Sequence, residues 1–203
     1  MTTGVVFDFG GVMTASPKPL KLMALVDEFG LEWRPFDEGF GKYRNRYDQG
    51  TMTIGEMYDL ILGEAGIRVD TETRTRIEAA DTESWLERNP ETLEWMRELK
   101  AAGFKIGILT NMSPLFAPIF KSEYADYVTL ADALVISGEE KLVKPMKEIY
   151  ELLQRRIGLK PEELCFVDDL DANCEAARAC GWQAIRFESV AKARAQLKGL
   201  GTK

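Results

Sequence analysis

Val5-Val6-Phe7-Asp8-Phe9-Gly10-Gly11 is a short apolar run that ends in a carboxylate and is followed at once by two glycines. That pattern reads as a buried strand running into a sharp turn. It recurs along the chain. Ile106-Gly107-Ile108-Leu109 ends at Thr110-Asn111, and Ala133-Leu134-Val135-Ile136 ends at Ser137-Gly138. Leu164-Cys165-Phe166-Val167 ends at Asp168-Asp169, and Ala184-Ile185-Arg186-Phe187 is a weaker fifth run. Strands without polar alternation belong to parallel sheets covered on both faces.

Helical stretches separate these runs. Asn89-Pro90 has the form of an N-cap followed by proline at the first helical position, and Gly103 that of a closing C′ residue. Leu93, Met96, Leu99 and Ala102 recur between them at helical spacing. Further helices are expected over Lys147–Ile157, over Asp171–Cys180, and from a Ser189 cap to about Gly199. Alternating strands and helices imply βαβ units. The expected fold is α/β: a Rossmann-like parallel sheet with helices on both faces.

Residues 15–87 break this rhythm. They carry no strong strand pattern, and helical patterns cover Leu20–Phe29, Phe36–Tyr47, Ile54–Ala65 and Thr73–Leu86. Thr53 with Glu56 three residues on is a capping-box signature. The reading is a core of residues 1–14 and 88–203 with a small all-helical cap, 15–87, inserted after the first strand.

Composition excludes several functions. The 203 residues contain no histidine, which removes Ser-His-Asp and Cys-His machinery and HExxH zinc sites. Carboxylates, lysine, hydroxyls or a metal must carry any chemistry. A net charge of −7 disfavours nucleic acid and anionic membranes as partners. There is neither a bilayer-length apolar run nor a signal-peptide pattern at the N-terminus. Cys165, Cys174 and Cys180 lack CxxC spacing and read as core thiols in a reducing compartment, so a cytoplasmic location is expected.

Ligands of open parallel sheets bind beyond the carboxyl ends of the strands. Here those ends present Asp8, Thr110-Asn111 and Asp168-Asp169, with Lys144-Pro145 after the third strand. Together they offer a nucleophile, a hydroxyl donor, a cation and a carboxylate pair. Singly each has a plainer reading, as a turn, loop, surface or helix-start residue. The ordered set FDFGGV (7–12), LTN (109–111), KP (144–145) and FVDD (166–169) resembles the motifs of the haloacid dehalogenase-like hydrolase superfamily, as does the following Asn173 with its Ala-rich helix. The insert resembles that family's smaller cap domain.

The resemblance implies a catalytic set of Asp8, Thr110 and Lys144. Asp8 would attack the substrate and form an ester that water hydrolyses, an aspartyl-phosphate if the substrate is a small phosphorylated metabolite. It implies Mg²⁺ held by Asp8, the backbone carbonyl of Gly10 and Asp168, with Asp169 orienting metal-bound water or lying behind the direct ligands. Thr110, Asn111 and Lys144 would bind substrate, and Lys144 and the metal would keep Asp8 ionised. Many family phosphatases carry a second Asp two residues after the nucleophile, as general acid. This chain has Gly10, and general acid–base catalysis contributes roughly 10²–10⁴-fold.

Two alternatives stay open. One is a metal-independent 2-haloacid dehalogenase, for which the resemblance implies an Arg in the insert where this chain has Gly39, with Arg34 the nearest substitute. The other is a non-catalytic binding protein on the same fold. Within the insert, Tyr43, Arg44, Arg46 and Tyr47 read as a solvated helix face with its tyrosines half in the core, and as a lesser candidate for substrate contact.

Overall fold

A computed structural model describes residues 1–201. The core begins with β1 (Gly4–Phe7). The insert then supplies α1 (Leu20–Glu28), α2 (Trp33–Asp48), α3 (Ile54–Glu64) and α4 (Thr71–Ser84). The core resumes with α5 (Pro90–Ala101), β2 (Lys105–Thr110), α6 (Ala117–Glu123), α7 (Ala125–Val128), β3 (Ala133–Ile136) and α8 (Ser137–Glu140). It ends with α9 (Lys147–Ile157), β4 (Leu164–Asp168), α10 (Asp171–Ala179), β5 (Gln183–Arg186) and α11 (Val190–Gly199).

The five strands form one sheet in the order β3-β2-β1-β4-β5, every pair parallel. The expected α/β class and parallel core are what the chain adopts. Chain order runs outward from β1 through β2 to β3, then returns to the other side of β1 for β4 and β5. The reversal places the crevice at the carboxyl ends of β1 and β4.

β1 has no exposed face, which explains its unbroken apolar run. Val5 and Phe7 pack on one side with Ile106, Ile108, Val167 and Trp95. Val6 packs on the other with Leu109, Phe166 and Leu153. Each such side chain contributes roughly 1.5–3 kcal/mol when fully buried.

Four insert helices share a separate apolar cluster that includes Leu22, Phe36, Tyr58, Ile61 and Ile77. Thr53 and Glu56 form the capping box in both directions. Chain entry and exit run side by side: Thr14 bridges Arg88 in antiparallel fashion, Ala15 N–H donates to Glu87 O, and Asn89 N–H donates to Met13 O. The end of α2 also rests on the core, where the Ser137 hydroxyl donates to the Asp48 carbonyl at 2.6 Å.

Some local expectations change. Asn89 stands at the N-cap of α5 but makes no side-chain cap, because its amide donates to the Val12 carbonyl at 3.1 Å. The fourth insert helix starts at Thr71, capped by Asp70, and the second starts three residues early, at Trp33. The short helices α6, α7 and α8 were not expected. They are too brief to show a period, and α6 and α7 are held by Phe116, Phe120, Tyr124 and Tyr127 packed against the core. Cys165 and Cys174 are buried free thiols and Cys180 is half-buried. Among the described residues no helix is long and apolar enough to cross a membrane.

Candidate active site

Asp8 is the first residue beyond β1, and its N–H donates to the Val167 carbonyl at 2.9 Å, which ties it to the end of β4. Lys144 reaches in from the segment after α8. Its ammonium, on a side chain 1% exposed, sits 2.7 Å from Asp8 Oδ1 and 2.7 Å from Asp168 Oδ2. Asp168 has little left to offer. Its Oδ1 accepts from Leu170 N–H and Asn173 Nδ2, and Oδ2 accepts from Lys144 and again from Asn173. Asp169, next in sequence, instead lines the cavity with Asp8. One carboxylate oxygen from each of Asp8, Asp168 and Asp169 lies within 4.8 Å of the others.

Three carboxylates thus surround one ammonium. Burial drives the Asp8 carboxyl well above the usual carboxylate range; Lys144 pulls it back, while Asp168 and Asp169 push it further up. Burial also lifts Asp169 to about 6, with Asp168 adding to the effect. Burial alone would lower the Lys144 ammonium, but Asp168 and Asp8 together hold it above its ordinary value. Lys144 is shared between Asp8 and Asp168, and the neighbouring carboxylates offset its pull on Asp8. The cluster is one cation short.

The glycine pair divides its roles in a way the sequence did not show. Gly11 has φ +69°, and a Cβ there would meet Asp169 Oδ2 and Pro17 Cβ at 2.8 Å. Gly10 has no such backbone constraint, and a Cβ there would meet only Trp85 Cζ3, at an ordinary 3.6 Å. Gly11→Ala is therefore expected to lower stability by about 1–3 kcal/mol and to displace Asp169, whereas Gly10→Ala stays near neutral. Thermal denaturation of the two variants checks this, and equal losses would contradict it.

Thr110 is the last residue of β2 and is 1% exposed. Its hydroxyl donates to the Asn111 carbonyl at 3.3 Å, and it is not part of the cavity wall. Asn111 does line the cavity, but its amide is engaged: Oδ1 accepts from Lys144 N–H at 2.7 Å and Nδ2 donates to the Lys144 carbonyl at 3.0 Å. Asn111 thereby fixes the backbone that carries the Lys144 ammonium. The cavity has a volume of about 420 Å³ and lies between the strand ends and the insert.

Residues 2–181 match the family described as haloacid dehalogenase-like hydrolase. The chain belongs to this family. As a haloacid dehalogenase-like hydrolase it has relatives of both chemistries. It is 31% identical over 99 residues to a phosphoglycolate phosphatase of Salmonella choleraesuis, an overlap of 47% of this chain and 38% of that one. It is 26% identical over 148 residues to (S)-2-haloacid dehalogenase 1 of a Pseudomonas species, covering 72% of this chain and 63% of that one. The chain thus spans less than two thirds of either relative. A haloacid dehalogenase family enzyme from Bacteroides thetaiotaomicron, solved with magnesium and inorganic phosphate, superposes with a TM-score of 0.71 at 20% identity. That overlap covers 95% of this chain and 99% of the other.

The side of this hydrolase's cavity that faces the strand ends comes from the insert. Arg44 is central to it: its guanidinium pairs with Asp48 at 3.2 Å and Asp81 at 3.0 Å. It also lies 5.2–5.6 Å from the ring centres of Phe40, Tyr47 and Trp85. The tyrosine-arginine cluster therefore splits. Tyr43 and Tyr47 are buried, Arg46 faces solvent, and Arg44 turns inward. Arg34, the substitute considered for a dehalogenase arginine, pairs with Glu38 on a side chain 84% exposed and lies outside the cavity. Gly39 packs under Ile61, where a Cβ would come within 2.5 Å of Cγ1. Trp33, Phe40, Asp48, Asp81, Trp85 and Met112 line the cavity without having been picked out from sequence, for want of any local signal.

Proposed function

We propose that this hydrolase is a Mg²⁺-dependent phosphatase of a small phosphorylated substrate. The observation that carries the reading is the charge deficit around Asp8: three carboxylates within 4.8 Å and one ammonium. A phosphate entering such a site adds further negative charge, so a hard divalent cation is needed. The donors suit Mg²⁺, since all are oxygens. Asp8, Asp169 and the Gly10 carbonyl would hold it, with Asp168 committed to Lys144 and Asn173. This reverses the order of the two aspartates expected from sequence. Bound there, Mg²⁺ would neutralise charge on the carboxylates and the phosphoryl oxygens and favour attack at phosphorus.

The chain's own groups supply the remaining chemistry. A free oxygen of Asp8 attacks phosphorus, the bond to the leaving oxygen breaks, and water then cleaves the aspartyl-phosphate. Lys144 offsets charge on Asp8. Asn111 positions Lys144, and Thr110 donates to substrate only once its hydroxyl leaves the Asn111 carbonyl. The insert, residues 15–87, acts as a cap that closes the cavity and excludes water.

The test is hydrolysis of 4-nitrophenyl phosphate with Mg²⁺ and with EDTA, beside halide release from 2-chloropropionate. Phosphate release that EDTA abolishes is expected. Metal-independent halide release would establish the dehalogenase instead, and neither activity would point to a binding protein.

A thermal-shift prediction follows from the raised carboxyls. Folding favours the neutral form of an acid whose folded pKa is raised, so its contribution is fully present below the ordinary value and lost as pH rises. For Asp169 the window runs from 3.8 to about 6. Mg²⁺ competes with protons for these oxygens, so it should stabilise more at pH 7.5 than at pH 5. At a hundredfold excess over Kd the gain at the higher pH is about 2.7 kcal/mol, or roughly 5–11 °C in Tm. Asp169→Ala should reduce this shift more than Asp168→Ala. An equal shift at both pH values, or none, counts against the assignment.

A further inference from the structure

Beyond Asp8 the cavity is walled by flat rings. Trp33 and Phe40 project from α2 with ring centres 6.0 Å apart, and Trp85 follows α4. The Trp85 indole overhangs Gly10, the residue two positions past the nucleophile. The place where a side chain at position 10 would begin thus faces an aromatic carbon instead of a proton donor.

Trp85 is held in that position. Its Nε1–H donates to Asp81 Oδ1 at 3.1 Å, and Arg44 lies 5.5 Å from its ring centre. Arg44 carries no spare charge for a ligand, because Asp48 and Asp81 both pair with it. Asp37 adds another carboxylate to the wall. Lys18, exposed at the mouth, is the lining cation without an ion pair among the described residues. The leaving-group side is therefore aromatic and, on balance, acidic.

We infer that Trp85 is a specificity-determining residue, and that the site takes phosphate monoesters of uncharged aromatic alcohols. The inference rests on the phosphatase reading above and narrows it. Asp8 attacks phosphorus, the P–O(aryl) bond breaks, and its electron pair leaves on the aryl oxygen. A phenol has a pKa of about 10, like the tyrosine side chain, so phenolate departs without an acid and takes its proton from solvent. Water then cleaves the aspartyl-phosphate to inorganic phosphate and free Asp8. An anionic leaving group, such as the glycolate of 2-phosphoglycolate, meets Asp37, Asp48 and Asp81 and is disfavoured.

The test compares kcat/KM of the Mg²⁺-loaded full chain for 2-naphthyl phosphate, acetyl phosphate and 2-phosphoglycolate. Acetyl phosphate has a good leaving group and no ring, so it reports the chemistry without the wall. The naphthyl ester is expected to exceed both others by about tenfold, mainly through KM, from ring-on-ring contact. Trp85→Ala should lower the naphthyl-to-acetyl ratio at least about fivefold, and Trp85→Phe should restore most of it. Calorimetric binding of 2-naphthyl phosphonate against methylphosphonate repeats the comparison without turnover. Ring preference in binding with no hydrolysis of any ester would sink the phosphatase reading and leave the aromatic site. Hydrolysis of acetyl phosphate with no ring preference in either measurement would do the reverse. A Trp85→Ala loss equal for all substrates, or 2-phosphoglycolate as the best substrate, overturns the inference.

Discussion

Asp8→Asn is expected to abolish turnover, by on the order of 10⁴-fold or more, because an amide oxygen cannot form and release the covalent ester. The same change should not weaken the fold. Asp8 is 7% exposed, and burial already raises its carboxyl well above the usual range. Its ionised form is therefore a burden on the metal-free protein at neutral pH. Asparagine keeps the shape, removes that charge and leaves Lys144 paired with Asp168 at 2.7 Å. Metal-free Asp8→Asn should thus melt at or above the temperature of the unsubstituted protein at pH 7.5, while losing most of the Mg²⁺-induced shift. Peptide mapping after a trapped reaction should find the phosphoryl group on Asp8 alone. An adduct on another residue, or an Asp8→Asn variant with substantial activity, would remove Asp8 from the nucleophile's role.

Lys144→Met should have the largest effect on stability. Among the described residues the ammonium is the only cation in contact with both Asp8 and Asp168, on a side chain 1% exposed. Removing one partner of a buried pair leaves uncompensated charge and costs about 3–5 kcal/mol. For a chain of this length that is roughly 6–20 °C in Tm. Catalysis should fall with it, since Asp8 would lose its counter-charge and take up a proton more readily. Adding Asp8→Asn to Lys144→Met removes one stranded carboxylate, so the double variant should be more stable than Lys144→Met alone. Asp168 keeps its bonds from Asn173 and Leu170 N–H in either background. Additive losses in the double variant would show that Lys144 acts through packing instead, for instance against Phe166, whose ring centre is 5.2 Å from its ammonium. Metal addition should recover little of the Lys144→Met loss, because Asp168 does not line the cavity and its oxygens are already bonded to Asn173 and Leu170 N–H.

Much of this was legible along the chain. Apolar runs ended by polar residues marked the strands, because the inner strands are covered on both faces and their carboxyl ends open on the cavity, whereas the edge strand β5 is mostly half-buried and gave the weaker run. Thr53 and Glu56 announced α3, since a capping box is local and needs no tertiary partner. The clustering of Asp8, Lys144 and the 168–169 pair also followed from strand ends in a parallel sheet. Short helices α6–α8 left no trace, because packing of Phe116, Phe120, Tyr124 and Tyr127 holds α6 and α7 where seven or four residues could not form a helix alone.

The finer assignment of the site depended on packing. Asp168 is the last residue of β4 and Asp169 the first beyond it, and the two adjacent carboxylates meet different partners. Lys144, Asn173 and the Leu170 N–H, brought together only by the fold, claim Asp168 and leave Asp169 to the cavity. Arg34 and Arg44 share one helix and one charge, yet Arg34 meets solvent while Arg44 meets Asp48, Asp81 and three rings. The contact of Trp85 with Gly10 joins residues 75 positions apart. Strand pattern and motif order carry backbone periodicity, which is local. The facing of a side chain is set by whichever distant residues pack against it, and that only the folded chain decides.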